Sequence, residues 1–322
     1  RAALRLSTSV RTAFVLSTDA RWRRMPMKFM SSFAMSPVED VRLSDTARRM
    51  LRLAGVTSLF PVQAQTLPVA LSGVDLVCRS PTGSGKTLAF VLPVAEQLVG
   101  VRPSRAQGRV PCLVLTPTRE LANQVAREFQ RFAPHLQVAT AYGGASINEQ
   151  LAQLRRGAHV VVGTPGRVMD LKERRALDLS HVKYVVLDEA DEMLGKGFQE
   201  DVELILKGAN EQRQTLLWSA TLPPWVRQVC DTFLKDPEWL DFVGDEHDAQ
   251  RIPPTVRHLA APKSRNKAHM LRVLTGVLDA HCGEGRAILF TNTKAQAGEL
   301  AADASHFLRD SVASSSPLAR FA

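Results

Sequence analysis

No run of about 18 or more apolar residues occurs anywhere in the chain, which excludes an ordinary transmembrane helix and leaves at most peripheral membrane contact. Cysteine is scarce: Cys78, Cys112, Cys230 and Cys282 lie far apart, with no Cys-x-x-Cys pair. That spacing argues against a structural zinc site and for reduced, mostly buried thiols. A reducing compartment (cytosol, nucleus or mitochondrial matrix) therefore fits better than a secretory one. Any metal is expected to be held by oxygen. No internal repeat of solenoid period is present.

The 322 residues, 45% apolar and 23% charged, suit one large globular domain or two medium ones. The net charge of +9 is unevenly spread. Residues 1–37 carry seven basic side chains (Arg1, Arg5, Arg11, Arg21, Arg23, Arg24, Lys28) against Asp19, a net +6, which leaves +3 for the rest. Nucleic-acid contact by the folded part must then come from placed groups, not from a broad positive field. Arg1 to Phe33 is rich in Arg, Ser, Thr and Ala and nearly free of acids, the composition of a mitochondrial transit peptide. The plain alternative is a basic disordered arm, which if retained would lie against RNA or a partner. Because the chain opens on Arg1 and not Met, an upstream portion is expected to be missing or processed.

From Leu43 to Phe242, within a first domain assigned to 38–243, helical periodicity alternates with short apolar, β-branched runs, the pattern of βα units around a parallel sheet. The strand segments are Asp75 to Arg79, Cys112 to Thr116, Gln137 to Ala141, His159 to Val162, Tyr184 to Leu187 and Thr215 to Ser219, each followed by a helical segment. Ser44 is placed to cap a first helix through Ala47, Met50, Leu51 and Ala54 that stops at Gly55. Gly, Asp, Glu and Pro then mark a linker over 244–262. Beyond it, strands over Val256 to Ala260 and Ala287 to Thr291 and helices over Lys267 to Leu278 and Lys294 to Phe307 begin a second α/β domain, 263–322, shorter than a matching lobe. A doubly wound sheet places ligands at the carboxyl ends of its strands, and the motifs sit there.

Ser80-Pro81-Thr82-Gly83-Ser84-Gly85-Lys86-Thr87 follows one strand and opens a helix, as a phosphate loop does. Glycines 83 and 85 let successive N–H groups point at phosphate, Lys86 neutralises the β- and γ-phosphates, and the Thr87 hydroxyl takes one Mg²⁺ position. A Gly-rich turn with an incidental Gly-Lys-Thr is the plain alternative. Ser80 stands where strict loops have Gly or Ala. Asp188-Glu189-Ala190-Asp191 ends a second apolar strand. Asp188 suits water-mediated Mg²⁺ binding and Glu189 suits orientation and deprotonation of an attacking water. An acidic helix N-terminus would use the same letters. Ser219 and Thr221 end a third strand with hydroxyls for a neighbouring carboxylate, Asp191 being the expected partner; a helix cap by Thr221 before Pro223-Pro224 is the plain alternative, and the two roles are compatible.

With these residues in view, the chain resembles the DEAD-box ATP-dependent RNA helicases from about Val38 to Thr293. Gly55 and Phe60-Pro61-Val62-Gln63 resemble the family's Q motif, which implies that Gln63 reads the adenine edge. Pro117-Thr118-Arg119-Glu120-Leu121-Ala122, Gly143-Gly144 and Thr164-Pro165-Gly166-Arg167 resemble the motifs by which the family grips RNA backbone, and Ala287 to Thr293 resembles motif IV. The wording around Gly55 to Pro61 and Thr215 to Thr221 is closest to the nucleolar RNA helicase II branch. The resemblance implies a RecA-like P-loop fold with one complete lobe and a second only begun, ATP and Mg²⁺ as cofactors, and RNA clamped between lobes and released on hydrolysis. A monomeric helicase core and a part in mitochondrial ribosome assembly on ribosomal RNA intermediates are further expectations, the nucleolus being the alternative location. An assembly scaffold that keeps the fold without turnover is the other reading. Physically, the turns at 117–119, 143–144 and 164–167 expose N–H groups, hydroxyls and arginines to phosphates and 2′-OH groups, not to bases.

Two departures stand out. Family members stack adenine on an aromatic residue 25 positions before the Q-motif Gln, and here that position is Val38, so a weaker adenine contact is expected, with Phe29 or Phe33 as steric substitutes. Motifs V and VI, with the arginine finger, have no match after residue 222, so these residues alone are expected to be nearly inert as a helicase.

Overall fold

The structure is a computed structural model that describes residues 28–29, 35–103, 108–243, 267–281 and 287–302. The chain divides into two compact units, 1–251 and 252–322, each taken by itself below. In the first unit, β1 (Lys28–Phe29) and β2 (Ser36–Pro37) precede α1 (Asp45–Leu53) and β3 (Ser58–Leu59). Next come α2 (Pro61–Ser72), β4 (Leu76–Arg79), α3 (Lys86–Gln97), β5 (Cys112–Leu115), α4 (Arg119–Phe132), β6 (Val138–Ala141) and α5 (Ile147–Arg155). The unit continues with β7 (Val160–Gly163), α6 (Pro165–Glu173), β8 (Tyr184–Leu187), α7 (Ala190–Gly195), α8 (Gln199–Gly208), β9 (Gln214–Ser219), α9 (Pro224–Phe233) and β10 (Glu238–Asp241). Local chemistry sets the boundaries as expected for α1: the Ser44 hydroxyl accepts from Ala47 N at 3.2 Å, and Gly55 leaves the helix with φ of +75°.

The main sheet runs in the order β1-β10-β4-β9-β8-β5-β7-β6, all parallel, the RecA-like doubly wound α/β arrangement that the alternating pattern predicts. Both of its faces are covered, which is why the strands read as continuous apolar runs. Leu76, Cys78, Val114, Val162, Val186 and Trp218 pack on one face with α1 to α4, while Val77, Leu113, Val161, Val185 and Leu217 pack on the other. Cys78, Cys112 and Cys230 are buried free thiols, and burial pushes the Cys230 thiol up to about 12. Among the described residues no helix is long and apolar enough to cross a membrane.

Three features differ from the sequence expectation. Glu238–Asp241 forms an interior strand that an acid at each end concealed. Lys28–Phe29 and Ser36–Pro37, read as part of the basic arm, pair with Leu240–Asp241 and Ser58–Leu59. In the second unit, Lys267–His281 is helical (α10), as are residues 294–302, but residues 287–291 form no strand, and Ile288 and Phe290 are 78% and 91% exposed. A strand needs a ladder partner, and the described residues of that unit supply none. The expected strand at Val256 to Ala260 and the linker at 244–262 lie outside the described residues.

A buried ion pair joins β10 to β4. Arg79 and Asp241 sit opposite each other in register, with Arg79 Nε donating to Oδ1 at 2.9 Å and Nη2 to Oδ2 at 2.5 Å, their side chains 10% and 7% exposed. Removing one member strands a buried charge. Asp241→Ala should lower the unfolding free energy by about 3–5 kcal/mol in urea titrations, and Arg79→Met with Asp241→Leu should recover most of that loss. A loss under about 1 kcal/mol for the single variant would show that the pair does not hold the strand.

Candidate functional site

Every motif picked out between residues 80 and 221 lies at the carboxyl edge of the sheet, because the parallel strands all end there. The strand order divides that edge: β4, β9 and β8 end in the phosphate-loop, Ser219–Thr221 and Asp188–Asp191 segments, and the neighbouring β5, β7 and β6 end in those at 117–119, 164–167 and 143–144.

On the first side, Gly83 and Gly85 have φ of +81° and +90°, conformations that bend the loop and that L side chains resist. Gly85 has a second constraint. A Cβ there would stand 2.5 Å from Gln63 Nε2 and 2.9 Å from Phe60 Cδ2. Gln63 is locked between the two elements: its Oε1 accepts from Phe60 N at 2.9 Å and its Nε2 donates to Gly85 O at 3.0 Å. Lys86 opens α3, is 6% exposed, and donates from Nζ to Ser80 O at 3.2 Å. Ser80 suits its position because its hydroxyl meets that of Ser84 at 3.3 Å, while its N–H donates to Ser219 O at 3.0 Å and stitches the loop to β9.

Gln63, Thr82, Gly83, Gly85, Lys86, Thr87, Asp188 and Glu189 line one cavity of about 400 Å³, a size that suits a small-molecule ligand. Leu88, Leu121, Gln124 and Glu128 complete its wall. Leu121 belongs to the 117–122 motif, but Leu88, Gln124 and Glu128 escape a motif reading because their letters belong to ordinary amphipathic helices; only the pairing of α3 with α4 brings them in. Asp188 is 2% exposed, and its Oδ1 has no hydrogen-bond partner among the described residues. Burial first, then the repulsion of Glu189 and Asp191, raise its pKa to about 7 against the pull of Lys86. A desolvated carboxylate oxygen without a donor, in a cavity that also holds the Thr87 hydroxyl, fits Mg²⁺, which takes hard oxygens and keeps several waters. Glu189 has φ 53° and ψ 54°, a left-handed conformation for a residue with a Cβ, and burial raises its pKa too. It makes no side-chain cap to α7, so its carboxylate is not occupied as a helix terminus.

Asp191 joins the third segment. Its Oδ2 accepts from Thr221 N at 2.9 Å and Thr221 Oγ1 at 2.7 Å, and its own N–H donates to Ser219 Oγ at 3.2 Å. The Thr221 hydroxyl is therefore committed to Asp191; α9 begins after Pro223 with no side-chain cap.

On the second side, Thr118 caps α4, its hydroxyl accepting from Leu121 N at 3.1 Å, and Pro117 just before it is buried. Arg119 is exposed, and a Cβ on Gly144 (φ +77°) would lie 3.5 Å from its Nη1, which places the 117–119 and 143–144 segments side by side. Thr164 and Pro165 begin α6. Arg167 is disposed otherwise than a phosphate ligand requires. With its side chain 15% exposed, it donates to Gln150 Oε1 at 2.9 Å and to Ala145 O at 3.4 Å and lies 3.6 Å from Asp170, so it braces the loop after Gly143-Gly144. Thr293, in the second unit, caps residues 294–302 by accepting from Gln296 N at 3.2 Å. Val38 is 2% exposed within the core under α1 and α2, so it does not line the cavity and cannot set adenine affinity by stacking. Phe33 lies outside the described residues, and Phe29 is a residue of β1.

Residues 60–229, more than half of the chain, match the DEAD/DEAH box helicase family. The chain belongs to that family. It is 46% identical over 273 residues to the Arabidopsis thaliana protein named DEAD-box ATP-dependent RNA helicase 7, covering 82% of this chain and 40% of that protein. It is 42% identical over 265 residues to the Arabidopsis thaliana DEAD-box ATP-dependent RNA helicase 9, mitochondrial, covering 82% and 43%. Relatives of comparable identity from Zea mays are named chloroplastic. The fold is similar to the crystal structure of a DEAD box protein from the hyperthermophile Methanococcus jannaschii, with a TM-score of 0.59, 37% identity, and 65% of this chain and 56% of that one covered. The chain thus spans roughly two fifths of the curated relatives it matches (40% and 43%).

The pKa of Asp188 gives this DEAD-box site a pH signature. The folded chain keeps a proton there between about pH 4 and 7 that the unfolded chain releases near 3.8. The associated stability is therefore complete at low pH and is lost as pH rises toward 7. In metal-free buffer, Asp188→Asn should be more stable than wild type at pH 8 by on the order of a few kcal/mol, with the gap closing toward pH 4.5. A difference constant across that range in denaturant titrations would refute the assignment.

Proposed function

We propose that the full protein is an RNA-dependent ATPase of the DEAD-box type that binds RNA backbone without base readout and remodels RNA or ribonucleoprotein through ATP hydrolysis. The observation that carries this is the buried, donorless Asp188 oxygen in one cavity with Lys86, Thr87 and the left-handed Glu189. A scaffold without turnover has no physical use for a desolvated carboxylate held against its own titration.

In this reading the loop amides at 82–87 cradle the phosphates and Lys86 neutralises charge on the β- and γ-oxygens. Thr87 and Asp188 hold Mg²⁺, which when bound supplies further neutralisation of the phosphate charge. Glu189 orients the attacking water and takes its proton; its raised pKa brings it nearer to a useful base strength. Gln63 ties adenine recognition to the phosphate loop through Gly85, and Asp191 reports to the Ser219–Thr221 segment, whose shift would follow any movement of the strand end. RNA phosphates lie on the exposed side of the first unit formed by Thr118, Arg119, Gly143, Gly144 and the 164–166 turn, with Arg167 as the brace; Thr293 is a separate RNA contact belonging to the second unit.

The finer assignments belong to the same proposal: a protein of the nucleolar RNA helicase II branch, monomeric in its helicase core, acting in the mitochondrial matrix on ribosomal RNA assembly intermediates. The acid-poor basic segment and the relative named mitochondrial support the location, while relatives of comparable identity are named chloroplastic. On a mitochondrial sucrose gradient the protein should co-sediment with ribosomal precursor particles, and its absence from them would sink the assembly role.

The decisive measurement is ATPase activity of the full-length protein with and without RNA. Wild type should be stimulated by RNA, and Glu189→Gln should lose about 10²–10⁴-fold in turnover while still binding nucleotide and RNA. Equally slow wild type and variant in the presence of RNA would decide for the scaffold.

A further inference from the structure

Alongside the edge proposed to bind RNA runs a polar groove of about 390 Å³, lined by Arg119, Glu120, Asn123, Arg127, Tyr142 and Ala145; it starts at the 117–122 motif and extends past it to Asn123, Arg127 and Tyr142, which no sequence motif includes. Arg119, Asn123 and Arg127 stand four residues apart on α4, so they share one helical face over roughly 12 Å. The loop after β6 forms the opposite wall.

The groups in this groove are nearly all donors. Tyr142 OH donates to Asn123 Oδ1 at 2.9 Å, an arrangement that leaves the Asn123 NH₂ with its hydrogens uncommitted among the described residues. The one carboxylate, Glu120, is engaged with Arg119 Nε at 3.3 Å. Arg127 is exposed and makes no hydrogen bond or ion pair among the described residues. The groove therefore presents an uncompensated guanidinium two helical turns from Arg119. A single small anion would engage one end of such a face; a chain of phosphates would engage both.

Resting on the proposed function, we infer that the RNA strand continues from Arg119 along α4, and that Arg127 binds a further backbone phosphate with Asn123 as an intermediate donor. The contact is to phosphate alone, so it adds affinity without base preference. Tyr142 acts as a positioning residue by fixing which end of the Asn123 amide donates.

The test uses the full-length protein with oligouridylates of increasing length, affinities being read by fluorescence anisotropy across a salt series. Arg127→Ala should bind the short members like wild type and the longer members about three- to tenfold more weakly. The slope of log K against log salt for the longer members should become shallower by about 0.7, the value for one phosphate contact on a single strand. Arg127→Lys should restore most of that slope, which a merely structural role for the side chain would not do. Arg119→Ala should weaken binding at every length. If Arg127→Ala matches wild type in affinity and slope throughout while Arg119→Ala binds weakly, the extension is overturned and the proposed function stands. If Arg127→Ala weakens all lengths equally, the extension is again overturned, because Arg127 would then belong to the minimal site. If neither variant changes RNA binding, the RNA reading of this whole face falls.

Discussion

A sheet whose strands all run in one direction must deliver every strand's carboxyl end to the same edge, and the first unit depends on that constraint more than on any single contact. Because both faces are covered by helices, backbone groups along the strands have no access to ligand, and only the turns beyond the strand ends can carry chemistry. The crossover order then sorts the turns. β4, β9 and β8 lie together and supply the phosphate loop, the Ser219–Thr221 segment and the acids, while β5, β7 and β6 supply the three turns proposed to bind RNA. Two sites on one edge follow from connectivity, with no element shared except the helix between them.

The price of that arrangement is charge and strain in the interior. Asp188 loses hydration at the end of β8, Lys86 is almost fully enclosed at the start of α3, and Glu189 holds a backbone conformation that costs on the order of 1 kcal/mol or more. Surrounding bonds hold these groups in place: Ser80 N to Ser219 O, Gln63 between Phe60 and Gly85, and Asp191 to Thr221. At the end of β4, Arg79 pairs with Asp241 of β10 where an unpaired charge would be costly, which secures the strand immediately before the phosphate loop. The loop's position is thus fixed from β9 on one side and β10 on the other.

Much of this was legible in the letters because the determinants are local. A capping Ser44, apolar runs that end in glycine or acid, and loop residues at fixed spacing each specify their own few residues. What escaped was non-local. Glu238–Asp241 reads as too acidic for an interior strand until Arg79 is seen opposite Asp241. Gln124 and Glu128 carry no motif signal and join the cavity wall only once α4 is placed against α3. Arg167 reads as a phosphate ligand until Gln150 and Asp170 are found around it, and Val38 as a missing stacking residue until its burial is known. The exposed run at 288–290 makes the converse point, since a β-prone segment stays irregular where no partner strand is at hand.

Helix α4 shows how non-local placement gives one element two duties. Its core stripe, Ala122, Val125, Ala126, Phe129 and Phe132, is buried. Leu121, Gln124 and Glu128 line the cavity beside the phosphate loop, and Arg119, Asn123 and Arg127 line the groove beside the turns at 117–119 and 143–144. At about 100° per residue these sets occupy three separate sectors of the helix. A helix so anchored moves as a body or not at all. Coupling between the two sites would then require that ATP and RNA each favour the same one of two positions of α4, and by linkage each ligand would strengthen the other's binding by the same factor. Side chains on the two outer sectors never need to touch for that to hold; the packed stripe between them transmits the displacement.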